Sequence, residues 1–322
     1  MPAVEHRPTL VSPPVRTPPA TPLACVVCGD APHTHAFRQR DWFLRLVEGE
    51  FDYWRCERCG TVRQHPILPD EVLRTAYSTY HDALPAEDGA LQRVIERIAQ
   101  READFVAAAA DTALPVVDIG CGAGAFLRRL GRAGWRGERR GVEPEGEVAA
   151  AASAALGIRV EKGTAEGAAF APGSLGTAVM RHVIEHLRDP GSVLDRLHTA
   201  LGRGGTLYLG TPDSRALSAA AAGRYWHGWD PPRHLHVFTS DSLRALVRRH
   251  GFEPVAERWL WSPEMWNASL HHALTRGRDR PLRRRFCHNL NPVLLPFSVA
   301  AATAEVAARR STMYALVARR RS

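Results

Sequence analysis

The chain has 322 residues, 45% of them hydrophobic, enough to enclose one ordinary α/β core and a smaller module. Its net charge is +8, but Lys162 is the only lysine among 42 basic residues, so the arginine excess reads as compositional bias before it reads as a grip on nucleic acid. No leader pattern and no unbroken apolar run of about 18 residues is visible, and the longest candidate, 291–308, carries Pro292, Pro296 and Glu305; a cytoplasmic protein without a membrane span is expected.

Residues 1–22 hold seven prolines and few large apolar groups, so they are expected to form a disordered tail. Residues 23–68 follow as a small module. Its CVVCGD and CERCG runs pair Cys25 with Cys28 and Cys56 with Cys59, and the glycine after each second cysteine permits the turn that aims both sulfurs at one ion. Four thiolates make a closed tetrahedral site, so a structural zinc is expected and a catalytic one is not. Between the knuckles, the aromatic-rich stretch Phe37 to Cys56 suits a ribbon hairpin stapled by the metal, a zinc ribbon.

Residues 69–111 read as a helical connector. Leu91, Val94, Ile95, Ile98, Phe105 and Val106 recur at helical spacing and form a core stripe, whereas Tyr77, Tyr80 and His81 are polar-tipped and placed between two modules, where a cleft would lie.

Residues 112–322 open on VVDIGCGAGAF, Val116 to Phe126. Val116, Val117 and Ile119 read as a buried parallel strand, and Gly120, Gly122 and Gly124 let the chain turn into a helix whose unpaired N–H groups favour an anionic or electron-rich ligand. Asp118 at the strand end suits an ammonium group, and Glu143 in GVEP stands where a ribose-binding acid would be, which a dinucleotide would also satisfy. Further strands are expected at 138–143, 158–161, 176–182 and 205–210, with helices at 124–134, 145–156 and 191–202. This alternation predicts an α/β, doubly wound, Rossmann-like parallel sheet. A helix at 241–250, with Thr239 and Ser240 as candidate caps, leads to two closing strands at 252–260 and 313–318; between them, 264–308 is expected to be a helical insertion covering one end.

Taken together, VVDIGCGAGAF, Glu143 in GVEP, Gly163 to Glu166, RHVIEHLRDP and GGTLYLGTPD resemble class I S-adenosylmethionine-dependent methyltransferases over roughly residues 112–260. The resemblance implies that Asp118 and the loop Gly120, Cys121, Gly122 and Gly124 hold the methionine part of S-adenosylmethionine, Glu143 the ribose, and Ala165 with Glu166 the border of the adenine. Arg181 completes the expected cofactor set. Where the family usually carries Phe-Asp before the fourth strand, this chain has Leu175 and Gly176, which puts one backbone contact in question. The CxxCG pair with YSTYHD is similar to the front end of sugar C-methyltransferases, and WDPPRHLHVFT lies where those enzymes carry a catalytic histidine, matched by His234. The HVIEH stretch resembles ubiquinone-type O-methyltransferases, with His182 in place of their first acid.

A methyl acceptor with a hydroxyl or carbon acid needs a base, and histidine titrates in the useful range. His234 is the expected base, oriented by His182, with Tyr80 as a third catalytic candidate, while His186, beside Glu185 and before Asp189 and Pro190, is expected to cap the next helix. The expected activity is methyl transfer to a small molecule, a secondary metabolite or sugar. An RNA methyltransferase that grips its substrate with the zinc ribbon and arginines is the alternative.

Overall fold

The computed structural model describes residues 24–41, 46–78, 90–275 and 293–321. Its larger sheet has seven strands: β4 (Val116–Ile119), β5 (Arg139–Glu143), β6 (Arg159–Lys162), β7 (Leu175–Arg181), β8 (Leu201–Pro212), β10 (Phe252–Leu260) and β11 (Met313–Arg320), in the spatial order β10-β11-β8-β7-β4-β5-β6. The strands β6, β5, β4, β7 and β8 run parallel, and β11 and β10 return antiparallel along the far edge. Chain order reverses beside β4, which opens a crevice at the carboxyl ends of β4 and β7. The alternation of short apolar runs and helices fixes this topology, because each parallel step needs a crossover element.

Two helical layers cover the sheet. On one face Val117, Ile119, Met180 and Leu209 pack against α5 (Pro190–Ala200) and α7 (Ser240–Arg249); on the other Val116, Val179 and Tyr208 meet α2 (Ala90–Ala109) and α3 (Ala125–Arg132). Thr239 caps α7 through a reciprocal box with Ser242, while α4 (Gly146–Leu156) crosses between β5 and β6. The Leu175–Gly176 departure is accommodated locally. Gly176 and Thr177 both donate backbone N–H bonds to Pro115 O, and a Cβ at Gly176 would stand 2.2 Å from Leu114 Cβ, so the missing side chain is what lets the segments close.

The insertion is helical where described, as α8 (Pro263–Thr275) and α9 (Leu295–Ala307); the two helices pack on each other, and α9 also lies beside β10. Buried Glu305 of α9 accepts from the backbone N–H of Ser218, at the start of α6 (Leu217–Ala222), and so ties the insertion to the loop after β8.

The small sheet has four strands in the order β1-β2-β3-β9, comprising β1 (His33–Gln39), β2 (Phe51–Cys56), β3 (Val62–His65) and β9 (His236–Val237), with α1 (Asp70–Ser78) following it. Its last strand comes from much further along the chain, after β8. A shared core of Phe51, Tyr53, Val62, Leu68 and Leu73 with Trp226, Trp229, Leu235 and Val237 seals this join. Among the described residues no helix is long and apolar enough to cross a membrane; the proline-rich stretch 1–22 lies outside them.

Leu209 lies in β8 between β7 and β11 with no exposed surface. Leu209→Ala is expected to lower unfolding free energy by about 2–5 kcal/mol through lost burial and a residual cavity, read from urea midpoints at unchanged slope.

Candidate functional site

The turn after β4 is built from glycines in the left-handed region: Gly120 at φ 70°, Gly122 at 52° and Gly124 at 73°. A Cβ at Gly120 would lie 2.6 Å from Val183 Cγ2, so the loop approaches the segment after β7 more closely than any side chain permits. Gly124 then opens α3 without a side-chain cap. Opposite Asp118 in the register stands Gly141, where a Cβ would strike Cys121 Sγ at 2.6 Å; the glycine leaves that space to the thiol, which is buried and shifted up by desolvation.

Asp118 is 2% exposed, and its Oδ1 has no hydrogen-bond partner. Burial pushes its carboxyl up to about 7, helped by Glu102 and Glu143 and opposed by Arg181. A buried, unpaired carboxylate beside a glycine cradle fits a ligand that carries an ammonium group. Glu143 is buried at the end of β5, with Oε2 accepting from Gly122 N–H at 2.8 Å and Oε1 from Glu145 N–H at 3.1 Å. Each oxygen keeps a second lone pair for a hydroxyl donor. Ala165 is buried, its carbonyl bonded by Arg196, and exposed Glu166 borders a cavity of about 430 Å³ that Phe170, Asp195 and Thr199 also line.

Arg181 is committed elsewhere. Its guanidinium forms a two-bond pair with Glu102 at 2.8 Å each and lies over the Phe126 ring at 4.6 Å, while Tyr208 OH donates to the same carboxylate at 2.6 Å. Burial alone would raise Glu102, and Arg181 overcomes it and holds the acid charged. Its position in α2 was open to inference, since Glu102 falls four residues after Ile98 and before Val106 on the apolar stripe, where an unpaired acid would be costly.

After β7 the chain turns at His182, whose φ of 54° is unusual for a side-chain-bearing residue, and its half-exposed Nδ1 lies 3.5 Å from Glu185 Oε1. Glu185 has no exposed surface; Thr211 OH bonds its Oε2 at 2.9 Å, and burial, which favours the acid form, is outweighed by His182, His186 and His234 around it, leaving it at about 2. The backbone N–H of Leu235 donates to Glu185 O at 2.9 Å, docking the His234 loop here.

His234 is 7% exposed and 4.8 Å from His186, ring to ring. Its Nδ1 lies 2.8 Å from Gly228 O, and His186 Nδ1 lies 2.9 Å from Arg233 O; a carbonyl only accepts, so both Nδ1 atoms carry the proton and Nε2 is the basic nitrogen. Burial lowers both imidazoles, His186 to about 4, so both are neutral at physiological pH. The expected pairing is therefore amended: His186, not His182, faces His234, and Asp189 rather than His186 caps α5, because its carboxylate accepts from Ser192 N–H. Glu185, His186 and His234 also bring one ligand-type atom each within 4.8 Å of one another. Tyr80 lies outside the described residues.

The four cysteine sulfurs converge in the same way. Cys25 Sγ is 3.5 Å from Cys59 Sγ and Cys28 Sγ is 3.5 Å from Cys56 Sγ, each contact joining one knuckle to the other. Sulfurs at about 2.3 Å from a tetrahedral ion would be roughly 3.8 Å apart, so the cluster needs little expansion to accept one.

A family model for the methyltransferase domain matches residues 89–257, just over half of the chain. The chain belongs to this methyltransferase family. It is an S-adenosylmethionine-dependent methyltransferase with the α/β fold of class I. The ubiquinone biosynthesis O-methyltransferase of Cereibacter sphaeroides (strain KD131) is 28% identical over 167 residues, 49% of this methyltransferase and 68% of that one. The enzyme of the same name from Caulobacter vibrioides is 29% identical over 208 residues, 57% and 80% of the two chains. In structure, a chain from the Haloferax volcanii complex of the Trm112 methyltransferase activator with a methyltransferase superposes with a TM-score of 0.52 at 15% identity, covering 77% of this chain and 97% of that one, which supports the fold.

Proposed function

We propose that this methyltransferase transfers the methyl group to an oxygen of a small hydroxylated molecule, with His234 as general base and a structural zinc on Cys25, Cys28, Cys56 and Cys59. The observation that carries the reading is His234 itself: a neutral imidazole, fixed by Gly228 O with Nε2 basic, on a loop docked against Glu185 just beyond β7. Oxygen is favoured over nitrogen or carbon by relatives named as O-methyltransferases.

Bound S-adenosylmethionine supplies an electrophilic methyl on a sulfonium centre, displaced in line by the acceptor. In our reading Asp118 receives the ammonium group, Glu143 the ribose hydroxyls, and Ala165 with Glu166 border the adenine. Arg181 acts at one remove, because with Glu102 it sets the charge around Asp118. His234 Nε2 takes the acceptor proton, and the imidazolium so formed lies 4.0 Å from Asp230 Oδ2 and near Glu185, whose negative charges stabilise it. Such assistance is worth ~10² to 10⁴ in rate. The cysteine site leaves no open position, so zinc there would hold structure without touching substrate.

A second reading has its own observation. Glu185, His186 and His234 have the spacing and chemistry to hold a divalent cation. Turnover of chelator-treated enzyme restored by Mg²⁺ or Mn²⁺ supports the cation; full turnover without either supports the base alone.

Three outcomes are expected. Because Asp118 titrates at about 7, an ammonium ligand meets a charged partner above that pH and a neutral one below it; calorimetric affinity for S-adenosylhomocysteine should weaken roughly tenfold from about pH 8 to about pH 6, and Asp118→Asn should flatten the dependence. With any hydroxylated acceptor found by screening for S-adenosylhomocysteine release, His234→Ala should lower kcat by ~10² to 10⁴ at unchanged cofactor affinity; retained turnover removes the base assignment. Elemental analysis of purified protein should give one zinc per chain, lost in Cys56→Ser.

A further inference from the structure

The loop that presents His234 is held from outside the methyltransferase sheet. Beyond His234, β9 pairs antiparallel with β3 of the cysteine module, Val237 opposite Val62 and His236 opposite Arg63. Gln64 N–H donates to Leu235 O at 3.0 Å, and Tyr53 OH donates to Trp229 O at 3.0 Å. On the other flank Thr239 OH reaches Cys59 O at 3.4 Å. Each contact joins the module to a residue within a few positions of His234.

One charged group crosses the same join in full burial. Arg233, 1% exposed, bonds both oxygens of Asp230, Nε to Oδ2 at 2.9 Å and Nη2 to Oδ1 at 2.5 Å, and also reaches Asp41 Oδ1 at 2.9 Å. Asp41 belongs to the module and is buried. Asp230 holds a φ of 34° and is the pivot of the turn: its carbonyl accepts from both Arg233 N–H and His234 N–H. Its carboxylate is the same one that stands 4.0 Å from His234 Nε2. The guanidinium is a planar fork, so an acid on one side fixes the acid on the other. Where Asp41 sits therefore decides where Asp230, and with it the His234 ring, can sit.

We propose that the cysteine module braces the His234 loop, with Asp41 and Arg233 as positioning residues that hold the ring through Asp230. The catalytic consequence rests on the reading of His234 as base; the mechanical coupling does not. The knuckles are one step from the brace, because Cys56 ends β2, its N–H bonds Thr61 O, and Val62 begins β3. Opening the cysteine site loosens β3 and thereby β9, without touching the loop after β4.

The test uses the full chain and needs no acceptor. Hydrogen exchange is followed in wild type, in wild type treated with a zinc chelator, and in Asp41→Asn, alongside calorimetry with S-adenosylhomocysteine and ¹⁵N spectra of the histidine rings. The brace predicts exchange on the order of tenfold faster across 229–238 in both perturbed proteins, with 116–143 and cofactor affinity within about twofold of wild type. It further predicts that His234 changes from a single Nδ1–H tautomer to an averaged signal in Asp41→Asn, which a merely structural contact would not produce. Exchange at 229–238 that stays at the wild-type rate overturns the proposal, and so does acceleration shared equally by 116–143 with affinity lost in step. Should Asp41→Asn not fold, Tyr53→Phe, which deletes one oxygen bonded to Trp229 O, is read by the same criteria. Turnover retained in His234→Ala with fast exchange in Asp41→Asn would sink the base and leave the brace; lost turnover with unchanged exchange would do the reverse.

Discussion

A carboxylate kept away from water must find positive charge or hydrogen bonds, or give up its own charge. Four acids at the carboxyl end of the large sheet meet that constraint in different ways. Glu102 takes Arg181, Glu185 sits among three histidines, and Asp230 shares Arg233 with Asp41. Asp118 differs: its Oδ1, like Oε1 of Glu185, has no hydrogen bond, but here burial outweighs Arg181 and pushes the carboxyl up to about 7. The three acids with cationic neighbours are held below the usual carboxylate range, and Asp118 is the one of the four for which burial prevails.

Most of the large sheet was legible because its signals are local. Apolar runs at Val116 to Ile119 and Leu175 to Arg181, broken by glycine and followed by helical periodicity, admit few arrangements other than parallel strands with crossovers. Boundaries differ by a few residues, most at β8, which extends from Leu201 to Pro212 where 205–210 was expected. The small sheet was only half legible. The knuckles and the aromatic stretch announce a hairpin, but nothing local says that His236 and Val237, two residues among many apolar neighbours, complete the sheet.

The site shows the same divide. The three glycines are readable because a left-handed turn demands them at that spacing, and Asp118 and Glu143 stand out as acids within or closing apolar strand runs that the family resemblance singles out. The histidine cluster is a matter of tertiary contact: HVIEH places His182, Glu185 and His186 near one turn, yet which of them faces His234 depends on the left-handed turn at His182 and on Leu235 docking to Glu185. Asp41 and Arg233 lie 192 positions apart, and no periodicity links them. Glu102 left a trace, an acid on an apolar stripe, but its partner could not be named before the helix was seen against β7.

The late arrival of β9 also bears on how the chain folds. The module's cysteines are made well before β9, so the sheet they anchor lacks its outer strand until residue 237 has been synthesised. During that interval β3 presents an open edge, the kind of surface that recruits foreign strands. Because the closing strand comes from so far along the chain, this contact has a high loop-closure cost and couples maturation of the cysteine module to synthesis of the later residues. A shortened chain ending before β9 would carry a finished cysteine-bearing hairpin with an unfinished border.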